Sequence, residues 1–375
     1  MLGILFTLDY EIHGNGEGSP RDLMVEPTNR MLSLFERYGA RLTIMADIAE
    51  ILKFKEYREK FGRDDYRYTE ITRQLCEAIR RGHDVQLHIH SSYFNARYEK
   101  GRWVQDWSEY NFAGLDLRRL REFISIGKAF LESLLQPVDP DYKCNVFRAA
   151  NWSMSPSNNV VRALVENGIT IDTSVFKYGR RQGLVSFDYS NACSALVPWK
   201  VDEQDICAAD EAGGLLEVPI YSEHRWLGAF LTPQRLHRAY GSRRHKFETR
   251  PRPNVLGASE PKPEQDCARG HWLTRRHAWK ADFNQCSGRQ LVGALKRAEA
   301  RYGSSAVRLP FVLIGHSKLF TRLNGWSLRP FLAFIKAYPD RFWFARFGDF
   351  ELGRQRTKES NARQVVITSA TNGLI

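Results

Sequence analysis

No run in these 375 residues approaches the ~20 consecutive apolar residues that a membrane helix requires. The opening MLGILFTLDYE is apolar but short, and it lacks the basic flank and small-residue cleavage site of an export signal. A cytoplasmic protein without a transmembrane segment is expected, with peripheral contact to a membrane surface left open. Cysteine is sparse as well. Cys76, Cys144, Cys193, Cys207, Cys267 and Cys286 lie far apart with no CxxC or CxH pair, so free thiols are expected rather than a disulfide framework. No internal repeat and no linker interrupts the chain, and one domain is expected over residues 1–350. The net charge of +12 invites a nucleic-acid reading, but the basic residues are not interleaved with stacking aromatics or a recognition motif, and no nucleic-acid partner is expected. Much of the excess is local, between Arg235 and Lys280, and suits an anionic partner such as a phosphate, a nucleotide-sugar or a polyanionic glycan.

What is present is ordinary globular composition, 43% apolar and 26% charged, arranged as short apolar runs alternating with amphipathic stretches. Strands are expected at 2–8, 41–45, 85–88, 145–148, 169–172, 215–220, 311–315 and 342–346. Helices are expected at 27–38, 68–81, 116–136, 157–167, 288–302 and 328–337, from apolar residues at helical spacing and from stop signals such as Gly39. This alternation predicts an α/β fold, a distorted (β/α)7-type barrel with a basic insertion at 241–285 and a poorly ordered tail at 355–375.

Polar residues cluster where the strands end, and in β/α barrels those ends converge on the catalytic face. GHDVQLHIH ends a strand with His88 and His90 at i, i+2, on one face, and neutral imidazole is a common ligand for first-row metals. In TLDYE, Asp9 and Glu11 stand at the same spacing; one completes a two-histidine, one-carboxylate set and the other is a candidate general base. FRAANW places Arg148 where a guanidinium can hold that base ionised. His316 in FVLIGHSK is a candidate general acid, with Asp172 in ITIDTS expected to hold its tautomer. Tyr10, Tyr93, Phe94, Trp103, Trp107, Trp152 and Trp279 are candidate sugar-stacking walls, with Lys280 and Asp282 beside them, and several of these aromatics are expected simply to pack.

TLDYE, GHDVQLHIH, FRAANW, GITIDTS and VLIGHSK together resemble the successive motifs of the polysaccharide deacetylases with a NodB homology domain, carbohydrate esterase family 4, over residues 1–350. The first two motifs are most similar to an intracellular branch associated with surface-polysaccharide clusters. The resemblance implies a NodB-like barrel, a divalent metal that is usually zinc, and hydrolysis of an N-acetyl group on an amino sugar that is free, nucleotide-linked, lipid-linked or part of a glycan. It makes Asp9 the base, Arg148 its holder, His316 the acid, Asp172 the carboxylate behind that acid, and His88 the first histidine ligand. Two positions depart from the pattern. Tyr10 stands where a ligand aspartate is usual, shifting the ligand to Glu11 or to Asp9 itself, and Ser92 replaces the second histidine, leaving His90 as its substitute. Two alternatives follow: a degenerate relative that binds a sugar or glycan without cleaving it, and a metal-dependent hydrolase of small cyclic amides on the same barrel.

Overall fold

The computed structural model describes residues 1–12, 16–236, 275–303 and 307–350. Its framework strands are β1 (Leu2–Tyr10), β2 (Leu42–Asp47), β3 (Asp84–Ile89), β4 (Val146–Ala149), β5 (Ile171–Asp172), β6 (Trp199–Lys200), β7 (Leu216–Glu217), β8 (Ser222–Arg225), β9 (His277–Lys280), β10 (Leu309–His316) and β11 (Phe342–Phe344). The helices used below are α1 (Glu26–Tyr38), α2 (Ile48–Phe61), α3 (Tyr68–Arg80), α4 (Leu117–Leu135), α5 (Asn158–Glu166), α6 (Gly288–Tyr302) and α7 (Arg322–Ala337).

A nine-stranded sheet runs in the order β6-β7-β5-β4-β3-β2-β1-β10, with β11 also pairing the start of β1. Every pairing is parallel except β6 with β7. Parallel bridges from Ile220 to Val312 and from Asp282 to Ile314 bring two further segments onto β10, so the sheet curls into a distorted barrel. β1 is buried along its whole length, as a parallel strand covered on both faces should be. On its helix side Phe6 meets Phe35 of α1 at 4.5 Å between ring centroids and Phe331 of α7 at 6.1 Å.

Most elements begin and end where local chemistry predicts. Gly39 closes α1 at φ 75°, a conformation glycine adopts without steric cost. Asp116 caps α4 by accepting from Arg119 N. Gly127 in α4 is needed for close approach, since a Cβ there would sit 2.7 Å from Leu87 Cδ1 of β3.

Two regions differ from the sequence reading in kind. α2 was not anticipated: it starts directly at the end of β2 with no intervening turn, and its buried residues include Glu50 among the apolar Ile48, Ile51, Phe54 and Tyr57, which blurs the periodicity. Residues 277–280, expected inside the basic insertion, form β9 and pair with β8, and Asp282 joins β10, so 275–285 belong to the framework. The rest of that insertion, 237–274, and the tail at 355–375 lie outside the described residues. Cys76, Cys144, Cys193, Cys207 and Cys286 are free thiols. No helix among the described residues is long and apolar enough to cross a membrane.

Candidate active site

The alternation of β1 decides which carboxylates enter the barrel. Asp9 and Glu11 project to the inside, each 4% exposed, whereas Tyr10 between them turns outward, is fully buried, and donates through its hydroxyl to Gln74 of α3 at 2.6 Å. The position that departs from the family pattern is therefore a packing residue, and Glu11 is the second carboxylate in the cavity.

Glu11 faces two histidines. Its Oε2 lies 3.4 Å from His88 Nε2 and 3.1 Å from His90 Nδ1, and the three residues offer ligand atoms all within 4.8 Å of one another. The His88 ring is aimed from behind, whereas Asp47 and Glu11 both approach the same nitrogen of His90. His88 Nδ1 donates to the carbonyl of Arg148 at 2.8 Å, which turns Nε2 toward Glu11. His90 Nδ1 contacts Asp47 Oδ2 at 2.8 Å, while Asp47 Oδ1 accepts from the His90 backbone N–H at 3.1 Å. Histidine ligands are commonly oriented by such partners. Asp47 was missed in the sequence, although it ends the apolar run LTIMAD as the other site residues end theirs. Ser92 is buried and its hydroxyl donates to Gln105 at 2.8 Å.

Glu11 Oε2 is buried with no hydrogen-bond partner, a costly state for a carboxylate oxygen unless a cation sits against it. Its other oxygen accepts from Lys318 Nζ at 2.7 Å, and Lys318 also donates to the Ile12 carbonyl at 2.8 Å. Burial would raise the Glu11 pKa, but Lys318, His90 and His88 outweigh it and hold the carboxyl well below its ordinary range. An ionised glutamate facing two histidine rings fits a divalent metal.

Arg148 lies beside this cluster with no exposed surface. Its Nη1 donates to Asp9 Oδ1 at 2.9 Å and to Thr7 Oγ1 at 2.7 Å, Nε to the Thr173 carbonyl at 2.9 Å, and Nη2 to Thr173 Oγ1 at 3.3 Å. Burial acts to raise the Asp9 pKa, and Arg148, followed by His316 and His88, overcomes it, so the carboxyl is held below its ordinary value. Asp9 Oδ2 remains free of the guanidinium and lies 3.5 Å from His316 Nε2.

Asp172 requires a correction. It does not hold His316, whose Nδ1 is buried without a partner. Strand β5 lies between β4 and β7, so Asp172 accepts from Ser174 N at 3.1 Å and Ser174 Oγ at 2.8 Å, and Ser174 Oγ in turn accepts from Ala149 N. Asp172 thus braces the strand that carries Arg148. Its register partner Glu217 is equally buried and accepts from Val175 N at 3.1 Å; burial raises both carboxyls, Glu217 well above its usual range, with Asp172 adding to the rise. The carboxylates acting on His316 are Asp9, Glu11 and Asp282, but burial prevails and its pKa is lowered.

Of the candidate stacking aromatics, Tyr10, Tyr93, Trp103 and Trp279 are buried. Phe94 stacks on Phe123 and Trp107 leans on Tyr110, while Trp152 meets Lys280.

The fold has a structural counterpart. A candidate glycoside hydrolase/deacetylase from Parabacteroides distasonis superimposes with a TM-score of 0.52 at 14% identity, over 93% of this chain and 70% of the other. The shared fold is a curled (β/α) barrel. A candidate polysaccharide deacetylase from Mycobacterium smegmatis is also similar, with a TM-score of 0.46 at 14% identity, over 97% of this chain and 95% of the other. No family model matches the sequence, and no curated protein matches it. In this barrel the first-strand carboxylates, the third-strand histidines and the histidine of β10 share one end of the sheet.

Proposed function

We propose that the chain is a metal-dependent hydrolase that removes the N-acetyl group from an amino sugar of a surface polysaccharide or its precursor, acting in the cytoplasm on a free, nucleotide-linked or lipid-linked sugar. The observation that carries this reading is the buried, unpartnered Glu11 oxygen facing His88 and His90, with the Asp9–Arg148 pair alongside. Glu11, His88 and His90 would hold the metal, zinc being the ion suited to two imidazoles and a carboxylate. When bound, such an ion supplies Lewis acidity and a water ionisable near neutral pH.

The chain's own residues handle the protons. Asp9 is kept ionised by Arg148, and its free Oδ2 accepts the proton of the water that attacks the acetyl carbonyl. Because His316 is neutral at rest, the proton it delivers to the departing amine must be acquired during turnover, and Asp9 Oδ2 at 3.5 Å from its Nε2 is the source at hand. The C–N bond then breaks, leaving acetate and the free amine.

Acetate release from N-acetylated nucleotide-sugars and lipid-linked sugars tests the reading, with Asp9→Asn and His316→Ala beside the wild type. Loss of about 100-fold or more in each variant is expected for a general base or acid; equal rates in all three proteins reject the assigned roles. A glycan-binding relative without chemistry would bind these sugars and release no acetate.

A further inference from the structure

Lys280, the last residue of β9, plays no part in the proton transfers above. Its Nζ lies 3.4 Å from the Trp152 ring centroid and 4.2 Å from that of Phe176. No hydrogen bond or ion pair engages the ammonium among the described residues. The carboxylates whose charge reaches it are spent elsewhere: Asp9 on Arg148, and Asp282 on the backbone N–H groups of Asn284 and Gln285. Burial pushes its pKa down to about 8 against the pull of Asp282 and Asp9, and Arg148 and Arg235 add to the depression. It therefore remains mainly protonated at neutral pH.

The wall of this niche is held at a cost. Asn151 and Trp152 both adopt φ 56°, two consecutive left-handed residues that are not glycine. Such strain persists only where the surroundings enforce it, and it concentrates at ligand sites. Here Tyr189 Oη donates to the Trp152 carbonyl at 2.5 Å, while Asn151 Oδ1 accepts from Tyr110 Oη at 3.2 Å and Arg181 Nη1 at 3.0 Å. The indole face is thereby fixed against a cation whose donors are unused.

We propose that Lys280, framed by Trp152 and Phe176, recognises an anionic oxygen of the substrate, a carboxylate or phosphate next to the N-acetylated sugar. The substrate class is then an anionic amino sugar, and the charge of Arg235 also reaches Lys280. This inference rests on the deacetylase reading, and two separate readouts distinguish them.

Binding of three probes to the zinc-loaded full chain is measured by calorimetry: neutral N,N'-diacetylchitobiose, N-acetylglucosamine 1-phosphate, and an N-acetylated aminohexuronic acid. Acetate release is measured separately. The wild type should prefer one anionic probe, and Lys280→Gln and Lys280→Met should weaken that probe by about 10- to 100-fold, the range for a charge-assisted contact, with the neutral probe unchanged. Lys280→Arg should restore most of the affinity, and which anion is preferred distinguishes carboxylate from phosphate. Equal weakening of neutral and anionic probes, or no anionic preference in the wild type, overturns the proposal. Lys280-dependent anion binding without acetate release overturns the hydrolase reading and leaves this site standing; acetate release without charge preference does the reverse.

Discussion

Arg148 concentrates the residue-scale argument, because a guanidinium with no exposed surface is tolerable only when its donors are used and its charge is met. Removing it leaves Asp9 buried and unpaired. Arg148→Met is therefore expected to cost about 3–5 kcal/mol in chemical denaturation. The sign of its effect on Asp9 also follows: without the guanidinium, burial dominates and raises the carboxyl pKa, so the acid limb of kcat/KM against pH should move to higher pH. An unmoved limb would show that Asp9 is not the titrating base. Lys318 offers a second residue-scale test. It holds one Glu11 oxygen and keeps the other aimed at the histidines, so Lys318→Met should lower metal affinity by about 10- to 100-fold, the range for partners that orient ligands, as read by competition with a chromophoric chelator.

At the scale of elements, the parallel strands β5 and β7 set Asp172 and Glu217 in register, two buried carboxyls whose pKa values burial raises. A carboxyl whose folded pKa is raised adds stability that is complete below its unfolded value and is lost as pH rises through the folded value. Wild-type denaturation midpoints should therefore decline as pH rises from about 4, the unfolded carboxyl value, toward the alkaline side. Glu217→Gln, which keeps a donor and removes the titration, should flatten that decline; an unchanged slope would place the linkage elsewhere. Gly315, just before His316, permits a close approach, since a Cβ there would collide with the Phe283 ring. Gly315→Ala should cost about 1–3 kcal/mol of stability by overpacking and reduce activity by displacing His316. Elements with a strong period or a cap were legible in advance: β1, α1, α4 and α6 fall within a few residues of expectation. α2 was not, because its buried face mixes Glu50 with apolar residues, and β5 and β7 were overextended because their regular pairing is two residues long. Strand ends pointed to Asp9, Glu11, His88, His90, Arg148 and His316 without showing which of them touch. The Asp172 assignment failed because sequence order does not reveal that β5 adjoins β4, behind Arg148 rather than behind His316.

On the scale of the whole molecule, residues 307 positions apart meet, as Glu11 and Lys318 do, because β1 and β10 run side by side in parallel register. The barrel gathers opposite charges into one buried cluster, and the cluster retains an unsatisfied carboxylate oxygen toward the two histidines. A cation bound to that cluster should stabilise the fold in proportion to its affinity, so chelation should lower the melting temperature of the wild type and leave Glu11→Ala little changed. The most direct measurement is the metal content of the purified chain after dialysis against zinc. One ion per chain is expected in the wild type, with loss of bound metal in Glu11→Ala, His88→Ala and His90→Ala; a wild type that retains no stoichiometric metal contradicts the account.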